Sequence, residues 1–187
     1  ETVNIIYASN DGYAGHLAAS LYSLLDHSRN IPRMDVYILS VGMSEAYLER
    51  LAGIAGKFCR SLHVAELGNL RERFDYAVDT RGFDISAMGR LFAPKVLPDS
   101  VRKALYLDCD TIVNGSIRPL YETELGSHLV GMVMEPTVYR GMKESIGMEK
   151  DEPYYNSGVL LMDLEAWRNQ DVLGQLLEFY RVHQGSL

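Results

Sequence analysis

The sequence predicts an α/β fold with a mostly parallel sheet flanked by helices. Three observations predict it. Short apolar, β-rich runs alternate with segments of helical period, the pattern of right-handed strand–helix–strand crossovers. Turn signals such as Asn10-Asp11-Gly12 separate the runs. Hydrophobic residues make up 47% of the chain and charged residues 23%, which suits a two-faced core and excludes a disordered chain.

The elements follow in order. Residues 3–9 are apolar and β-rich, a first strand. From Ala14 the period changes: Leu17, Leu21, Leu24 and Leu25 recur at helical spacing, so a helix runs to about Ser28. Residues 35–41 form a second strand. Ser44 stands as N-cap of a helix whose one face carries Leu48, Leu51, Ile54, Ala55 and Phe58. Residues 62–67 are a third strand. Residues 68–84 are polar and aperiodic, a loop with a helical turn. Residues 86–97 read as a helix that presents Arg90 and Lys95. Residues 104–107 are a fourth strand, residues 129–134 a fifth and residues 155–162 a sixth. Asp163 caps a final helix containing Leu164, Trp167, Leu173, Leu176, Leu177 and Tyr180. No repeat or linker divides the 187 residues, so a single domain is expected over 1–187.

Charge narrows the partners. Lys and Arg number 18, Asp and Glu 25, for a net charge of -7. Such an anion is a poor polyphosphate-backbone binder, which argues against nucleic acid. An anionic ligand would need a cation, or a few placed Arg and Lys residues, to offset the field. The two cysteines, Cys59 and Cys109, make no disulfide framework and suit a reducing compartment. No apolar run nears the roughly 20 residues of a membrane helix, and no basic n-region with an apolar h-region opens the chain, so no signal peptide is expected. The chain opens on Glu1 and stops at residues 185–187 inside what reads as a helix, so a truncated chain is expected.

In open α/β sheets, ligands bind beyond the carboxyl ends of the strands. Three places qualify: residues 9–13, residues 108–110 and the ends of the later strands. In Leu105-Tyr106-Leu107-Asp108-Cys109-Asp110-Thr111 an apolar strand delivers two carboxylates at i and i+2, on one face if the strand continues. Two like charges this close call for a cation, and hard cations that take oxygen ligands keep positions open for phosphate. The plain alternative is a solvated turn; the clean preceding strand favours the metal. Asn10, Asp11, Gly12 and Tyr13 could bind a nucleoside, Tyr13 by stacking, or simply cap the next helix. Arg90 could clamp a phosphate; Lys95 reads as solvated. Asn156 can bond sugar hydroxyls in both directions and Gly158 permits close approach, against a plain turn before a buried strand. His16, His27, His63, His128 and His183 show no zinc spacing. Carboxylates on both sides of Cys109 raise its thiol pKa, so an activated nucleophile is not expected.

Four segments together resemble the family 8 glycosyltransferases: Ile5-Ile6-Tyr7-Ala8-Ser9-Asn10-Asp11-Gly12-Tyr13; Gly89-Arg90-Leu91; Leu105-Tyr106-Leu107-Asp108-Cys109-Asp110; and Tyr155-Asn156-Ser157-Gly158-Val159-Leu160-Leu161-Met162-Asp163-Leu164 with Trp167-Arg168. Their order and spacing match over essentially the whole chain. The resemblance implies a GT-A, Rossmann-like fold, a UDP-sugar donor, a glycan acceptor, a divalent metal (Mn²⁺, or Mg²⁺) and retention of anomeric configuration. It implies that Ala8, Asn10 and Tyr13 contact uracil or ribose, and that Asp108 and Asp110 hold the metal. Cys109 would lie beside the nucleoside and Arg90 would reach the donor sugar or phosphate, with Ser157 at the donor. Glu135 and Asn156 would face the transferred sugar as catalytic residues. The family often has Asp where Asn10 stands and Asn where Gly12 stands. The resemblance also implies, past Leu187, a Gln-Asp segment, a late metal-binding His and, in some members, a basic aromatic tail. Such a tail docks on membranes, which implies a cytoplasmic protein, peripheral at the inner face of the plasma membrane, in lipopolysaccharide biosynthesis.

Two other readings compete. Leu107-Asp108-Cys109-Asp110-Thr111-Ile112-Val113 also resembles the first motif of haloacid-dehalogenase-type phosphohydrolases, but it follows several strands rather than the first, and the later acidic pair is missing. The other is a non-catalytic nucleotide-binding fragment.

Overall fold

The computed structural model describes residues 2–80, 82–138 and 140–184. Six strands form one sheet: β1 (Val3–Ser9), β2 (Met34–Ser40), β3 (Ser61–Glu66), β4 (Lys103–Leu107), β5 (Val130–Met134) and β6 (Tyr155–Asp163). Their order is β3-β2-β1-β4-β6-β5. β1 pairs in parallel with β2 and β4, and β2 with β3. β6 runs antiparallel to both β4 and β5. The mostly parallel α/β fold expected from the alternation is what forms, with β6 as the reversed strand.

Side-chain alternation along β1 explains the sheet's two cores. Ile5 and Tyr7 face one way, against Leu17, Leu21, Leu24 and Leu25 of α1 (Ala14–His27) and Leu51 and Ala55 of α2 (Glu45–Lys57). Ile6 and Ala8 face the other way, with Tyr106, Phe92, Leu160 and Trp167. A central parallel strand buried on both faces reads as a continuous apolar run, as residues 3–9 do. The edge strands β3 and β5 are largely exposed.

Three local expectations are corrected. Ser44 sits at the N-cap position of α2, yet its hydroxyl makes no capping bond; its N–H instead reaches Asp11 Oδ1 at 2.7 Å. The helix expected over residues 86–97 is a 3-10 segment, Ile85–Phe92, followed by the single turn α3 (Ala93–Val96). Pro94 has no N–H to return to the Arg90 carbonyl four residues back. The Ala93 N–H takes that carbonyl in the tighter spacing instead. The final helix is two: α6 (Leu164–Asn169) and α7 (Val172–His183), after α4 (Arg118–Tyr121) and α5 (Arg140–Ser145), two short helices the sequence did not announce. The break falls at Asp171, whose φ of 46° is left-handed. Asp163 does cap α6, accepting from the Ala166 N–H at 2.8 Å. The expected helical stop at residues 185–187 lies outside the described residues.

Trp167 and Arg168 prove structural. Trp167 donates to the Leu129 carbonyl at 3.0 Å, and Arg168 to those of Pro94 at 2.8 Å and Val101 at 3.0 Å. They dock α6 against the segment that carries Arg90.

That segment approaches β1 as closely as it does because residue 89 is glycine. A Cβ there would sit 3.0 Å from Ala8 Cβ and 3.2 Å from Leu67 Cδ1. Gly89→Val should therefore push the 3-10 segment off the sheet and cost about 1–3 kcal/mol. Urea unfolding measures it, and an unchanged midpoint would show that the contact has slack.

Candidate active site

Chain connectivity reverses between β1 and β4. From β1 the crossovers build outward to β2 and β3, then return to β4 on the other side of β1. A crevice opens at such a switch point, beyond the carboxyl ends of both strands. Here it is a cleft of about 470 Å³, lined by Ala8, Tyr13, Phe83, Asp84, Ser86, Ala87, Arg90, Tyr106, Asp108, Cys109, Asp110 and Ser157. Seven expected donor-site residues thus share one wall: Ala8, Tyr13, Arg90, Asp108, Cys109, Asp110 and Ser157.

The centre of the cleft is an ion pair. Arg90 is 8% exposed. Its Nε donates to the Ala87 carbonyl at 2.6 Å, Nη1 to the Ser157 carbonyl, and Nη2 lies 3.0 Å from Asp108 Oδ1. The guanidinium stacks over Tyr106, 4.6 Å from the ring centroid. The Tyr106 hydroxyl donates to the same Asp108 oxygen at 2.6 Å. Burial raises the Tyr106 pKa far above the ordinary phenol value, so that proton stays in place. Arg90 therefore holds Asp108, where the sequence had it reaching only for the donor.

The strand does not continue through Asp110 as the alternation suggested. β4 ends at Leu107, and the chain turns, with the Thr111 N–H donating to the Asp108 carbonyl at 3.3 Å. Asp108 is half-buried and Asp110 exposed, both on the cleft. Gly158 lies against Asp108: a Cβ would come within 2.9 Å of Asp108 Oδ2 and 3.0 Å of Asn156 Oδ1. Any larger residue would displace the carboxylate.

Among the described residues no three His, Cys, Asp or Glu side chains gather into a metal cage. The donor set nonetheless suits a hard divalent cation. One or two carboxylates plus substrate phosphates is the usual way such an ion is held. Asp108 has Oδ1 committed to Arg90 and Tyr106, leaving Oδ2 available, and no hydrogen bond engages the Asp110 side chain among the described residues.

Asn10 sits at the rim. Its side-chain amide donates to both Asp84 oxygens, at 2.9 and 3.0 Å, while its carbonyl oxygen accepts from the Tyr13 N–H at 3.3 Å. Asp84 also accepts from the Ser86 N–H at 2.8 Å. Partial burial pushes the Asp84 pKa up, but bonds from Ser86 and Asn10 outweigh it and hold the carboxyl below its ordinary value. Glu135 follows β5. Thr137 donates to it, Asn156 adds a further bond, and its pKa is lowered, so it is an anion at neutral pH. The Asn156 carbonyl oxygen accepts from the Gly158 N–H at 2.7 Å. Glu135 and Asn156 thus meet each other beside the cleft rather than on its wall. Asp84, Ser86, Ala87, Phe83 and Tyr106 were missed. Asp84 carried a signal, an Asp two residues before a Ser at a helical start.

A strand-end carboxylate pair and a buried arginine meet at the switch point of this sheet, and the fold is of the GT-A glycosyltransferase type. The galactosyltransferase LgtC, solved with donor and acceptor sugar analogs, has this fold. It superposes with a TM-score of 0.86 at 27% identity, covering 99% of this chain and 66% of that one. The family model for glycosyl transferase family 8 matches residues 4–186, and the chain belongs to that family. General stress protein A of Bacillus subtilis is 25% identical over 184 residues, 98% of this chain and 63% of the relative. Lipopolysaccharide 1,2-glucosyltransferase of Escherichia coli is 24% identical over 169 residues, 89% of this chain and 49% of that one. The chain thus spans 49% to 66% of the length of these three proteins.

Two predictions follow from the geometry. Asn10→Asp sets a second carboxylate against Asp84. In the unaltered protein, the depressed Asp84 pKa adds stability above the usual carboxylate range, lost as pH falls through the folded value. The variant reverses that sign. It should lose about 0.5–1 kcal/mol at pH 7 and regain it below about pH 4, seen in the pH dependence of thermal unfolding. The two thiols should also part company. Cys59 is exposed, whereas burial pushes the Cys109 thiol up to about 11, against a bond from Ser9 that lowers it. At pH 7.5, roughly a pKa unit below an unperturbed thiol, maleimide should label Cys59 promptly and Cys109 far more slowly, as the turn around it opens.

Proposed function

We propose that this protein transfers a hexose, glucose or galactose, from a UDP-sugar to a glycan acceptor with retention of configuration, using Mn²⁺ or Mg²⁺. In this reading the chain is one nucleotide-sugar-binding catalytic domain. The observation that carries it is Asp108 and Asp110 opening into the β1/β4 cleft, one carboxylate fixed by Arg90 and the other exposed. LgtC is a galactosyltransferase and the Escherichia coli relative a lipopolysaccharide glucosyltransferase, which supports a hexose donor and a surface-glycan acceptor.

The residues divide the work. Ala8 and Tyr13 form the nucleoside wall, with Cys109 against β1 and Asn10 clamped to Asp84 at the rim. Asp108 and Asp110 would hold the cation. When bound, that cation neutralises the charge left on the departing diphosphate, as a Lewis acid. Arg90 holds Asp108 in its rotamer, so the carboxylate needs no reorganisation when the donor arrives. Ionised Glu135, with Asn156, presents negative charge and amide hydrogen-bonding groups where an oxocarbenium-like sugar needs them.

Both cysteines are unpaired, which supports a reducing cytoplasmic setting. No helix among the described residues is long and apolar enough to cross a membrane; contact with the inner face of the plasma membrane would be peripheral. The family match across residues 4–186 displaces the phosphohydrolase reading.

Calorimetric titration of UDP with and without Mn²⁺ tests the proposal. Binding should require the metal, and Asp110→Asn should weaken it at least about tenfold. Arg90→Ala should weaken both Mn²⁺ and nucleotide binding, because Asp108 loses its anchor. UDP affinity that is the same in EDTA would overturn the metal assignment, and failure of both UDP-glucose and UDP-galactose to compete with UDP for the site would overturn the hexose.

A further inference from the structure

The turn that carries the two carboxylates is tied to the fold by hydroxyl groups. The Thr111 hydroxyl donates to the Asp108 carbonyl at 2.8 Å. Ser20 Oγ of α1 lies 3.0 Å from Thr111 Oγ1, and the Tyr7 hydroxyl of β1 lies 3.0 Å from Ser20 Oγ. Each hydroxyl has a single proton. Thr111 spends its proton on Asp108, so Ser20 donates to Thr111 and Tyr7 to Ser20. Tyr7 and Ser20 are completely buried, and burial raises the Tyr7 pKa, which keeps its phenol a donor. A second tie runs alongside: the Val113 N–H donates to Ser23 Oγ at 2.9 Å, and Ser23 donates to the Ser20 carbonyl at 2.7 Å.

These ties stand out because the segment after β4 has no sheet partner to fix it. Residues 109–117 run as turn and coil, with Asp110 exposed at the tip. An exposed turn relaxes unless something determines it. Here a directed chain of three hydroxyls reaches from the central strand, through α1, to the backbone of the first carboxylate residue. We propose that Thr111, supported by Ser20 and Tyr7, is a positioning residue that fixes the Asp108–Asp110 turn for divalent-cation binding, an inference that rests on the metal-dependent donor site proposed above.

Thr111→Val removes the hydroxyl at nearly constant shape, and Thr111→Ser keeps it. Ser20→Ala breaks the same chain at its buried middle, leaving Thr111 itself intact. Two readouts are taken at matched urea stability: Mn²⁺-dependent UDP affinity, and maleimide labelling of Cys109, which sits inside the turn with its thiol on the Ala8 carbonyl at 3.2 Å. Thr111→Val and Ser20→Ala should weaken Mn²⁺–UDP binding roughly two- to tenfold, the range of one net hydrogen bond. They should also speed Cys109 labelling by a similar factor, while Thr111→Ser restores both. Unaltered affinity in Thr111→Val, with the parent chain binding normally, overturns the positioning role and leaves the proposed function standing. If the parent chain binds no Mn²⁺–UDP, the proposed function fails, and labelling alone judges the relay: unchanged labelling overturns it, faster labelling upholds it as a device fixing the turn.

Discussion

A guanidinium taken out of water is costly unless it is paired and hydrogen-bonded, and each of the three Arg90 nitrogens finds a partner, drawing three parts of the chain together. It bonds the Ala87 carbonyl in its own 3-10 segment, the Ser157 carbonyl at the start of β6, and Asp108 past the end of β4. Tyr106 covers its face. Removing Arg90 would strand Asp108 and loosen the seam between the 3-10 segment and the sheet. The cleft's shape and its charge therefore share one cause. The 3-10 winding of Ile85–Phe92 and the missing side chain at Gly89 both serve to bring Arg90 close enough.

What could be read from the sequence was what is local. The alternation of strands and helices, the double-faced burial of β1 and the capping of α6 by Asp163 depend on residues within a few positions of each other. So did the Asp108/Asp110 pair, announced by the apolar strand before it. Only the end of the 3-10 segment was legible in principle, because Pro94 has no N–H for the Arg90 carbonyl. The break at Asp171 had no comparable signal. Nothing local says that a left-handed aspartate will interrupt an otherwise periodic helix.

What could not be read was pairing across distance. Asn10 and Asp84 are 74 residues apart, and no pattern in either segment names the other. Their contact accounts for Asn10, where the family often has Asp: a carboxylate at position 10 would face the Asp84 carboxylate at hydrogen-bond distance. The departure from the family's usual Asp is, in the fold, matched to Asp84. Arg90 shows the same effect. Its charge on a helix-like segment suggested a ligand clamp, yet its first commitment is to a residue of the protein.

The reversed strand explains why residues from so many places meet at one edge. A sheet of parallel strands delivers only carboxyl ends to its crevice. β6 runs the other way, so its beginning reaches the edge where β4 ends: Leu107 pairs with Val159, and the Asp108 N–H donates to the Gly158 carbonyl at 2.7 Å. β5, antiparallel to β6, brings its carboxyl end to the same place, with Met134 opposite Tyr155 and Glu135 bonded to the Tyr154 carbonyl. Asn156 and Glu135 are therefore neighbours because one strand is reversed. The same reversal sets a backbone turn of β6 directly against Asp108, and only glycine fits there. The carboxylate-end rule finds Asp108 and Asp110 in such a sheet, and it passes over Asn156, Ser157 and Gly158, which arrive by the amino end.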